Sequence, residues 1–265
     1  MPVIEISAIT RRFNGLTAVD ALTMSVEQGE IFGLLGPNGA GKTTVIKMLT
    51  TLLPPTSGEA KVAGFSITHR AANVRRAIGY VPQMLSADGT LTGYENLWVF
   101  ARLYDVPRAE RETRIHDALA FMGLEDAANK LVRTYSGGMI RRLEIGQSIL
   151  HHPKVLFLDE PTIGLDPLAR KAVWEHIMEL RDRYGTTIFM TTHLMDEADS
   201  LCQRIAIMHH GKMVAIGPPL QLKTAVGGDD VTLEDVFFHY AGDKLDTGGG
   251  YRDTARTRRT AKRLG

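Results

Sequence analysis

The stretch Ile31-Phe-Gly-Leu-Leu-Gly-Pro-Asn-Gly-Ala-Gly-Lys-Thr43 carries most of the information about fold class. Its first five residues are apolar without alternation, as expected of a strand buried on both faces of a sheet. The next eight, Gly36–Thr43, match the glycine-rich P-loop pattern, whose backbone N–H groups surround phosphate oxygens. A helix predicted over Thr44–Leu52 would point the positive end of its dipole at the same anion. Strand, loop and helix in this order predict a nucleotide-binding α/β domain.

The loop and the start of the helix supply nine candidate phosphate-binding residues: Gly36, Pro37, Asn38, Gly39, Ala40, Gly41, Lys42, Thr43 and Thr44. Its glycines permit backbone geometries that a Cβ atom would block. In this pattern the Lys42 ammonium reaches the β- and γ-phosphates, and the Thr43 hydroxyl holds Mg²⁺. A chance glycine turn is the alternative, but it would require neither the strand before it nor the helix after it. The loop alone leaves many nucleoside triphosphatases open, including kinases and GTPases.

A second buried strand, Val155–Leu158, runs directly into Asp159 and Glu160. Sheets of α/β proteins place their ligands at the C-terminal ends of such strands. One carboxylate there can serve a metal ion, usually through water, while the other orients or deprotonates an attacking water molecule. A solvated acidic turn is the alternative, but four apolar residues leading straight into Asp-Glu-Pro are unusual for a surface loop.

Strand and helix patterns alternate along most of the chain, which predicts a mostly parallel central sheet. Two alternating segments near the start, Val3–Ser7 and Leu22–Val26, predict half-buried strands of a small antiparallel β subdomain. Further segments are predicted as strands: Glu59–Ala63, Ile78–Val81, Thr186–Met190, Ile205–Met208 and Met213–Ile216. Helices are predicted over Leu168–Tyr184 and Met195–Leu201. The expected fold class is α/β, of the P-loop NTPase type.

Between Leu91 and Lys130 the pattern changes to helical spacing, broken at Pro107. We interpret this as a helical insert, part of a helical subdomain of about residues 84–150 within one large domain, residues 1–243. Residues 244–265 contain seven Lys or Arg and two Asp, so their net charge is +5. The whole chain has a net charge of +1, and the other 243 residues therefore sum to −4. Residues 244–265 are predicted to form a disordered basic tail, either solvated or weakly attracted to anionic lipid head groups.

Composition narrows the classes of function. The 265 residues, 44% of them hydrophobic, suffice for one large α/β domain with an attached subdomain. A net charge of +1 argues against binding of nucleic acid through the overall charge of the protein, so no nucleic-acid partner is expected. Cys202 is the only cysteine, which excludes an internal disulfide and a cysteine-built metal site. With neither a signal-peptide core nor a window of about 18 apolar residues, the chain is expected to be soluble and cytoplasmic.

The segment Tyr135-Ser-Gly-Gly-Met139 precedes the second buried strand. Taken alone it is an ordinary turn before a helix, with Ser136 as the N-cap. Together with the P-loop and the Asp-Glu pair, however, the segment makes the chain resemble the nucleotide-binding subunits of ABC transporters over about residues 3–240. Tyr135 and Met139 depart from the commoner Leu and Gln of that family's signature loop, while the Ser-Gly-Gly centre is intact.

The resemblance implies ATP as the nucleotide and a closed pair of subunits, in which the signature loop of one subunit caps ATP on the P-loop of the other. Ser136, Gly137 and Gly138 would supply that cap, and the helix after them would direct its N-terminus at the γ-phosphate. Such a pair has twofold or pseudo-twofold symmetry, as a homodimer or a heterodimer. The resemblance also makes Glu160 the catalytic base and assigns Asp159 to Mg²⁺.

Four further residues take roles from the resemblance, each with a simpler alternative. Gln83 would touch Mg²⁺ and the attacking water, although a lone Gln is usually a surface residue. His193 would contact the γ-phosphate, although a His after a strand is more often a structural hydrogen-bonder. Asp166 would link the two sites of the pair, and the Asp-Pro sequence there is also a good helix start. Phe13 would stack on adenine, or it would lie in the core of the β subdomain.

Short features resemble the ATPases of drug- and antibiotic-resistance exporters of the daunorubicin type. They are Thr232–Phe237, Glu95-Asn96-Leu97 and the Tyr-Ser-Gly-Gly-Met loop. This resemblance implies an ATPase that powers export of a drug-like or other amphiphilic small molecule. The transmembrane permease subunits would be separate chains, and the ATPase would attach through them, peripherally, to the inner face of the cell membrane.

The alternatives from other classes are a soluble ABC-type ATPase of DNA repair or chromosome structure, and one that acts on the ribosome. The first type carries a very long coiled coil between P-loop and signature loop, whereas Lys42 and Ser136 are 94 positions apart here, without heptads. The second type holds two ATPase units in one chain, and this chain holds one. A nucleotide switch that does not hydrolyse is a further alternative, against which Glu160 argues.

Overall fold

The structure, a computed structural model, describes residues 1–228 and 230–242. Within these residues the chain forms ten strands: β1 (Pro2–Phe13), β2 (Leu16–Glu27), β3 (Ile31–Leu35), β4 (Ser57–Val62), β5 (Phe65–Ser66), β6 (Ile78–Val81), β7 (Val155–Asp159), β8 (Thr187–Thr192), β9 (Arg204–His209) and β10 (Lys212–Gly217). The predicted basic tail, residues 244–265, lies outside the described residues.

The strands form two sheets. The central sheet has the order β10-β9-β3-β8-β7-β6, and each neighbouring pair in it is parallel except β10 with β9. The second sheet, β2-β1-β4-β5, is antiparallel. The predicted fold class, a mostly parallel central sheet with a small antiparallel β subdomain, is confirmed. Parallel strands end at one edge of the sheet, so the residues that follow β3, β7 and β8 come together there.

The two N-terminal strands are longer than predicted, because bulges interrupt the alternation on which the prediction rested. β1 and β2 pair with several register shifts, one of them between Ile6 and Ile9. Ala8 in β1 and Ala21 in β2 have φ angles of 49° and 46°. A bulge breaks the period of two, so the residues beyond it change face. The alternating segments predicted from sequence are the parts of each strand on one side of its bulge.

Nine α-helices occur in the part of the chain that the structure describes: α1 (Lys42–Leu49), α2 (Ala71–Ala77), α3 (Gly93–Leu103), α4 (Arg111–Phe121), α5 (Gly137–Ile149), α6 (Pro167–Tyr184), α7 (Met195–Leu201), α8 (Pro219–Val226) and α9 (Leu233–Ala241). The predicted helical insert corresponds to α3 and α4, and the break at Pro107 falls between them. Capping boxes set the starts of α3 and α9, where Thr92 pairs with Glu95 and Thr232 with Asp235.

Helix α1 begins and ends earlier than predicted. The expected range was Thr44–Leu52, and the observed range is Lys42–Leu49. Gly41, at φ 104°, turns the loop directly into the first helical residue. Thr51, at φ 65°, lies in the left-handed region and cannot continue a right-handed helix. The helix therefore starts inside the P-loop motif itself.

Apolar side chains pack on both faces of the central sheet. One face carries Phe32, Phe157 and Phe189, and the Phe189 ring centroid lies 5.6 Å from that of Phe32 and 5.4 Å from that of Phe157. This face packs against α1 and the antiparallel sheet. The other face, with Leu156 and Met190, packs against α3 to α6. Every residue of β3 and β7 is buried, which explains why β3, and β7 as far as Leu158, are apolar without alternation.

Acid should destabilise the junction between the helical insert and the central sheet. His151 stacks on Tyr104, which follows α3, with ring centroids 3.9 Å apart, and its Nε2 lies 2.9 Å from the Ile78 carbonyl oxygen of β6. Burial lowers the pKa of His151, and likewise that of His152 and of His176. Their folded pKa values lie below the unfolded value of about 6.5. The neutral rings therefore make their full contribution to the free energy of unfolding above a pH of about 6.5. This contribution is lost as the pH falls through the folded pKa values.

Thermal unfolding followed from about pH 7.5 to about pH 5.5 should show a melting temperature that falls on the acid side. The variant His151→Phe keeps an aromatic ring but cannot be protonated, so it should flatten part of this fall. The same substitution at the exposed His69 should leave the slope unchanged. An acid-side slope that is equal in wild type and His151→Phe would show that this ring does not control stability at the junction.

Candidate active site

The phosphate loop joins the buried end of β3 to the start of α1. A Cβ atom on Gly36 would lie 2.4 Å from the Met208 carbonyl oxygen, and one on Gly41 would lie 2.4 Å from that of Ala18. Neither position accepts another residue unless the backbone moves. The loop borders a cavity of about 300 Å³. The residues that line it are Ala18, Pro37, Asn38, Gly39, Ala40, Gly41, Lys42, Thr43, Thr44, Gln83 and Glu160.

Lys42 and Glu160 form a buried ion pair at this cavity. Lys42 Nζ lies 3.2 Å from Glu160 Oε1, and it donates to the carbonyl oxygens of Gly36 at 2.8 Å and Pro37 at 3.2 Å. Both charged side chains are buried. Because a desolvated charge without partners is costly, these contacts are what allow the ammonium to lie there. The ammonium thus lies beside the loop with three oxygen acceptors, a number that phosphate oxygens can also supply.

Glu160 has a strained backbone at the end of β7. Its φ of 48° lies in the left-handed region, which costs a residue with a Cβ atom roughly 1–2 kcal/mol. Its N–H donates to the carbonyl oxygen of Thr191 at 3.1 Å and to Thr191 Oγ1 at 3.0 Å. The second carboxylate oxygen, Oε2, lies 3.0 Å from His193 Nδ1 and accepts from Gln83 Nε2 at 3.4 Å. Strain of this kind persists where neighbouring groups hold it, and it is common at functional sites.

Thr43 and Asp159, both predicted to hold Mg²⁺, are adjacent. Thr43 Oγ1 donates to Asp159 Oδ1 at 3.2 Å, and the same oxygen accepts from Thr191 Oγ1 at 2.6 Å. Mg²⁺ takes oxygen ligands and uses only one or two carboxylates, with water and substrate phosphates completing its shell. A hydroxyl and a carboxylate beside the phosphate loop fit that requirement.

Burial and the nearby Asp159 charge together raise the pKa of Tyr80, on the neighbouring strand β6, to about 12.

Four of the predicted site residues meet at one carboxylate. Lys42, Gln83 and His193 come from three separate parts of the chain, and all three contact Glu160. A carboxylate at the wall of a cavity can accept a proton from water, and cationic and amide donors around it can hold an anion. The structure therefore brings these residues together, while the catalytic role of each one stays a prediction.

Ser136 and Asp166 lie at the surface, each at the N-terminus of a helix. Ser136 Oγ accepts from the Met139 N–H at 3.3 Å and caps α5. Asp166 Oδ1 accepts from the N–H groups of Leu168 and Ala169, both at 3.0 Å, and caps α6. The interpretation of both residues as helix N-caps is confirmed. Their contacts with ATP of a second subunit and across the pair stay predictions.

The starts of these two helices pack directly on each other. A Cβ atom on Gly138 would lie 2.8 Å from Ala169 Cβ, and one on Gly137 would lie 3.5 Å from Leu165 Cδ2. The position of Gly138 therefore has no room for a larger residue unless α6 shifts. Glycine at this point lets the signature loop and the loop before α6 form neighbouring parts of one surface.

Phe13 is 39% exposed, so the alternative that it lies in the core of the β subdomain is wrong. It pairs with the exposed Leu16 at the tip of the β1–β2 hairpin, beyond the packed part of the sheet. The guanidinium carbon of Arg11 lies 4.6 Å from the centroid of its ring. Phe13 is not among the residues that line the cavity at the loop, and its stacking on adenine stays a prediction.

A family profile described as ABC transporter matches residues 19–163, more than half of the chain. The match includes the P-loop, the Ser-Gly-Gly loop, the strand that ends at Asp159, and Glu160 directly after it. The chain belongs to the ABC transporter family. It is an ATP-binding domain of that family, and hence an ATPase, so the resemblance seen in its sequence motifs is confirmed.

Relatives of this ABC ATPase carry names from drug resistance and export. The chain is 46% identical to the daunorubicin/doxorubicin resistance ATP-binding protein DrrA of Streptomyces peucetius, over 87% of this chain and 69% of that protein. It is 38% identical to the linearmycin resistance ATP-binding protein LnrL of Bacillus subtilis, over 86% and 73%. It is 41% identical to the Nod factor export ATP-binding protein I of Ralstonia nicotianae, over 87% and 71%.

Solved structures of ABC ATPases share this fold. An ATP-binding subunit of an ABC transporter superposes with a TM-score of 0.81 at 28% identity, covering 91% of this chain and 100% of that one. The protein cbiO1 of Clostridium perfringens, part of the ABC transporter complex cbiONQ, superposes with a TM-score of 0.76 at 27% identity, covering 83% and 90%. In residues 1–228 and 230–242 no helix combines the length and apolar composition needed to span a bilayer.

Sequence reasoning missed two residues that complete the site from neighbouring strands. Ala18, on β2 of the antiparallel sheet, lines the cavity beside the loop. Thr191, on β8, bonds through its hydroxyl to both Asp159 and the Glu160 N–H. The available signal for Thr191 was a pair of threonines, Thr191 and Thr192, after the apolar run of a buried strand. Ala18 offered no signal, because only the packing of the two sheets brings it to the loop.

A buried carboxylate behind the site was also missed. Glu197, on α7, is buried, and its Oε1 accepts from Thr162 Oγ1 at 2.7 Å and from Trp174 Nε1 at 2.9 Å. Burial raises the pKa of Glu197. The contacts connect the segment after Glu160 to α6 and α7. In the sequence Glu197 is one acidic residue among several in a short helix, with nothing to separate it from a solvated one.

Proposed function

We propose that this ABC ATPase powers the export of a drug-like or other amphiphilic small molecule through separate transmembrane permease subunits. The observation that carries the proposal is its similarity, at 46% and 38% identity, to ATP-binding proteins named for resistance to daunorubicin/doxorubicin and to linearmycin. A third relative is named for Nod factor export. None of these names points to nucleic acid or the ribosome, so an ATPase acting on either is not favoured.

In the proposed mechanism residues 36–44 bind the phosphates of ATP through backbone N–H groups and the Lys42 ammonium. Lys42 exchanges its present acceptors, Glu160 among them, for the β- and γ-phosphates. Glu160, freed from that ion pair, takes the proton of the attacking water as general base. Gln83 and His193, which contact the same carboxylate, orient the water and the γ-phosphate. The 3.2 Å contact between Lys42 and Glu160 supports this exchange, because the two partners must separate before either one acts.

Thr43 and Asp159, with Gln83 as a third candidate, would hold Mg²⁺. When bound, the ion neutralises charge that develops on the phosphate oxygens. Thr191 keeps the Asp159 carboxylate in place through its 2.6 Å hydrogen bond. Phe13, with Arg11 beside its ring, would contact the adenine base. The hydroxyl and carboxylate beside the phosphate loop support the ion's position, and the exposed ring supports the base contact.

The proposed working unit is a pair of ATPase subunits, as a homodimer or a pseudo-symmetric heterodimer, with ATP between them. Ser136, Gly137 and Gly138 of one subunit would cap ATP on the P-loop of the other. Asp166 would lie where the two sites approach. Support comes from the exposure of Ser136 and Asp166 on helix starts that pack together. The N-terminus of α5 also presents the positive end of a helix dipole, which suits a phosphate.

Ser136→Ala should lower ATP turnover about 10- to 100-fold, because a hydrogen bond to a charged group is worth about 1.5–3 kcal/mol. ATP binding to the monomer should be unchanged, since the cap acts only in the closed pair. The alanine also removes the cap of α5, at about 1 kcal/mol, whereas glycine costs only a few tenths. Ser136→Gly should therefore lose turnover with little change in melting temperature. Steady-state hydrolysis and fluorescent-ATP titration measure these effects, and full turnover by a strictly monomeric Ser136→Ala protein would exclude the shared pocket.

The permease subunits should dock on the helical insert. Helix α3 exposes three large apolar side chains, Trp98, Val99 and Leu103. Apolar side chains grouped on an exposed helix are typical of a surface that binds another protein. Attachment through these partners would hold the ATPase at the inner face of the cell membrane.

Co-purification of the wild-type chain from membranes, with identification of the companion chains, tests the proposed function. Leu103→Glu should lose those companions while the isolated chain keeps its basal ATPase activity. Leu220→Glu on α8 is the matched control, because Leu103 and Leu220 are 69% and 68% exposed. Recovery of ribosomes or nucleic acid instead of membrane-spanning chains would contradict the proposal. Companions retained by Leu103→Glu would place the docking surface elsewhere.

A further inference from the structure

A buried ion pair connects α5, the helix capped by Ser136, to the Gln83 segment, residues 82–86. Arg141 and Glu144, one turn apart on α5, are 2% and 3% exposed, and Arg141 Nη1 lies 3.0 Å from Glu144 Oε2. Neither side chain lines the nucleotide cavity. Desolvating two charges is costly, and a hydrophobic pair of the same volume is often as stable. Stability alone therefore does not account for the pair, and the groups that it holds in place indicate its role.

Each charge holds one end of the Gln83 segment. Arg141 Nη1 donates to the Pro82 carbonyl oxygen at 2.7 Å, and its Nη2 donates to the Gln83 carbonyl oxygen at 2.8 Å. At the other end, Glu144 Oε1 accepts from the Ser86 N–H and from the Ser86 hydroxyl at 3.1 Å. Charge-assisted bonds of this kind are about twice as strong as neutral ones. The segment is thus attached to α5 at both ends.

Between these attachments the tip of the Gln83 segment is exposed. Met84 and Leu85 are 82% and 51% exposed. The side chain of the residue before them, Gln83, reaches the Glu160 carboxylate at 3.4 Å. The exposed tip is therefore connected to two places: through the Gln83 side chain to the Glu160 carboxylate, and through the buried pair to the helix that begins at Ser136.

We propose that Arg141 and Glu144 are positioning residues that make the Gln83 segment and α5 move as one body. Gln83 at the ATP of its own subunit and Ser136 at the ATP of the opposite subunit are then set together. This inference rests on the proposed function, because Ser136 meets ATP only in the closed pair. The pair touches no nucleotide, so it affects turnover and leaves the affinity of a single P-loop for ATP unchanged.

The test replaces both charges at once, with Arg141→Met and Glu144→Gln in one full-length variant. Removing both avoids leaving a single charge buried without its partner. The matched control is Arg142→Met on the same helix. The Arg142 guanidinium holds α5 to the end of α4, donating to the Met122 carbonyl oxygen at 2.7 Å. The control therefore loses an arginine of the same helix and its hydrogen bond to a backbone carbonyl oxygen, but keeps the bonds that attach the Gln83 segment to α5.

Three quantities are measured in each variant: the affinity of the monomer for ATP, steady-state turnover, and hydrogen exchange of residues 82–86 and 136–142 with and without ATP. In wild type and Arg142→Met, ATP should protect both segments together. The double variant should bind ATP with wild-type affinity and lose about 10- to 100-fold in turnover, as small misplacements of reacting groups do. In it ATP should protect residues 136–142 without protecting the Gln83 segment.

A merely structural role would lower the melting temperature of the double variant and leave the joint protection intact. That result, or turnover within about twofold of wild type, would overturn the inference. Failure of the closed pair itself is distinguishable, because ATP would then protect residues 136–142 in no variant, wild type included. If the double variant does not fold, Glu144→Asp keeps the charge and withdraws it by one methylene. Turnover should then fall with ATP affinity unchanged, and wild-type turnover would overturn the inference.

Discussion

Glu160→Gln should lower ATP turnover about 10²- to 10⁴-fold, the usual contribution of a general base, while ATP still binds. The amide cannot take the proton of the attacking water. The substitution also removes the negative charge that lies 3.2 Å from Lys42 Nζ. The ammonium is then freer to bind phosphate, so ATP affinity should rise. With binding intact and hydrolysis blocked, ATP-bound pairs should accumulate.

Steady-state hydrolysis, ATP titration and light scattering in the presence of ATP measure these three effects of Glu160→Gln. The control is Glu179→Gln on α6, where the glutamate lies 3.5 Å from Arg183 at the surface. It should match wild type in all three measurements, because a surface ion pair contributes little. A Glu160→Gln protein with normal turnover would exclude Glu160 as the base. Blocked turnover without ATP-dependent pairing would remove the closed pair from the mechanism.

Lys42→Ala should weaken ATP binding about 100-fold or more. Each charge-assisted hydrogen bond from the ammonium to phosphate is worth about 1.5–3 kcal/mol, and 1.4 kcal/mol corresponds to a factor of ten. The substitution also acts on the free protein. It leaves the buried Glu160 carboxylate with Gln83 and His193 but without its cation. Because such a charge is costly when it loses its partner, the melting temperature should fall as well.

A double variant separates the two effects of Lys42→Ala. Lys42→Ala combined with Glu160→Gln removes both charges, so it should recover melting temperature without recovering ATP affinity. Lys47→Ala is the matched control, since Lys47 is an exposed lysine of the same helix. Fluorescent-ATP titration measures the affinity, and thermal unfolding the melting temperature, of wild type, Lys42→Ala, Lys47→Ala and the double variant. Wild-type affinity in Lys42→Ala would refute the assignment of residues 36–44 to the phosphates.

Local pattern predicted the central sheet well and the outer elements less well. The runs that became β3 and β7 are apolar because both faces of those strands are covered. The alternation in β1 and β2 marked only half of each strand, because Ala8 and Ala21 interrupt the period of two. Helix α1 ends earlier than predicted because Thr51 leaves the helical region, which a threonine does not signal in a sequence.

The candidate site likewise contains residues that the sequence predicted and residues that it did not. Residues in motifs were predicted, and the structure places Lys42, Gln83 and His193 in contact with Glu160. Buried polar groups outside motifs were missed, the Arg141–Glu144 pair among them. Such residues differ from surface polar residues only in what covers them, and a single sequence carries no record of that.

By itself the sequence determined the phosphate loop, because glycine spacing and the adjoining strand and helix act within a few consecutive residues. It also determined, through the order of its motifs, the family. Only the tertiary structure decided which groups hold the Glu160 carboxylate. Gln83 lies 77 positions from it and His193 lies 33 positions from it. Those contacts join the ends of β6, β7 and β8, which are neighbours in the sheet but are separated in the chain by long connections, so no local rule of sequence specifies them.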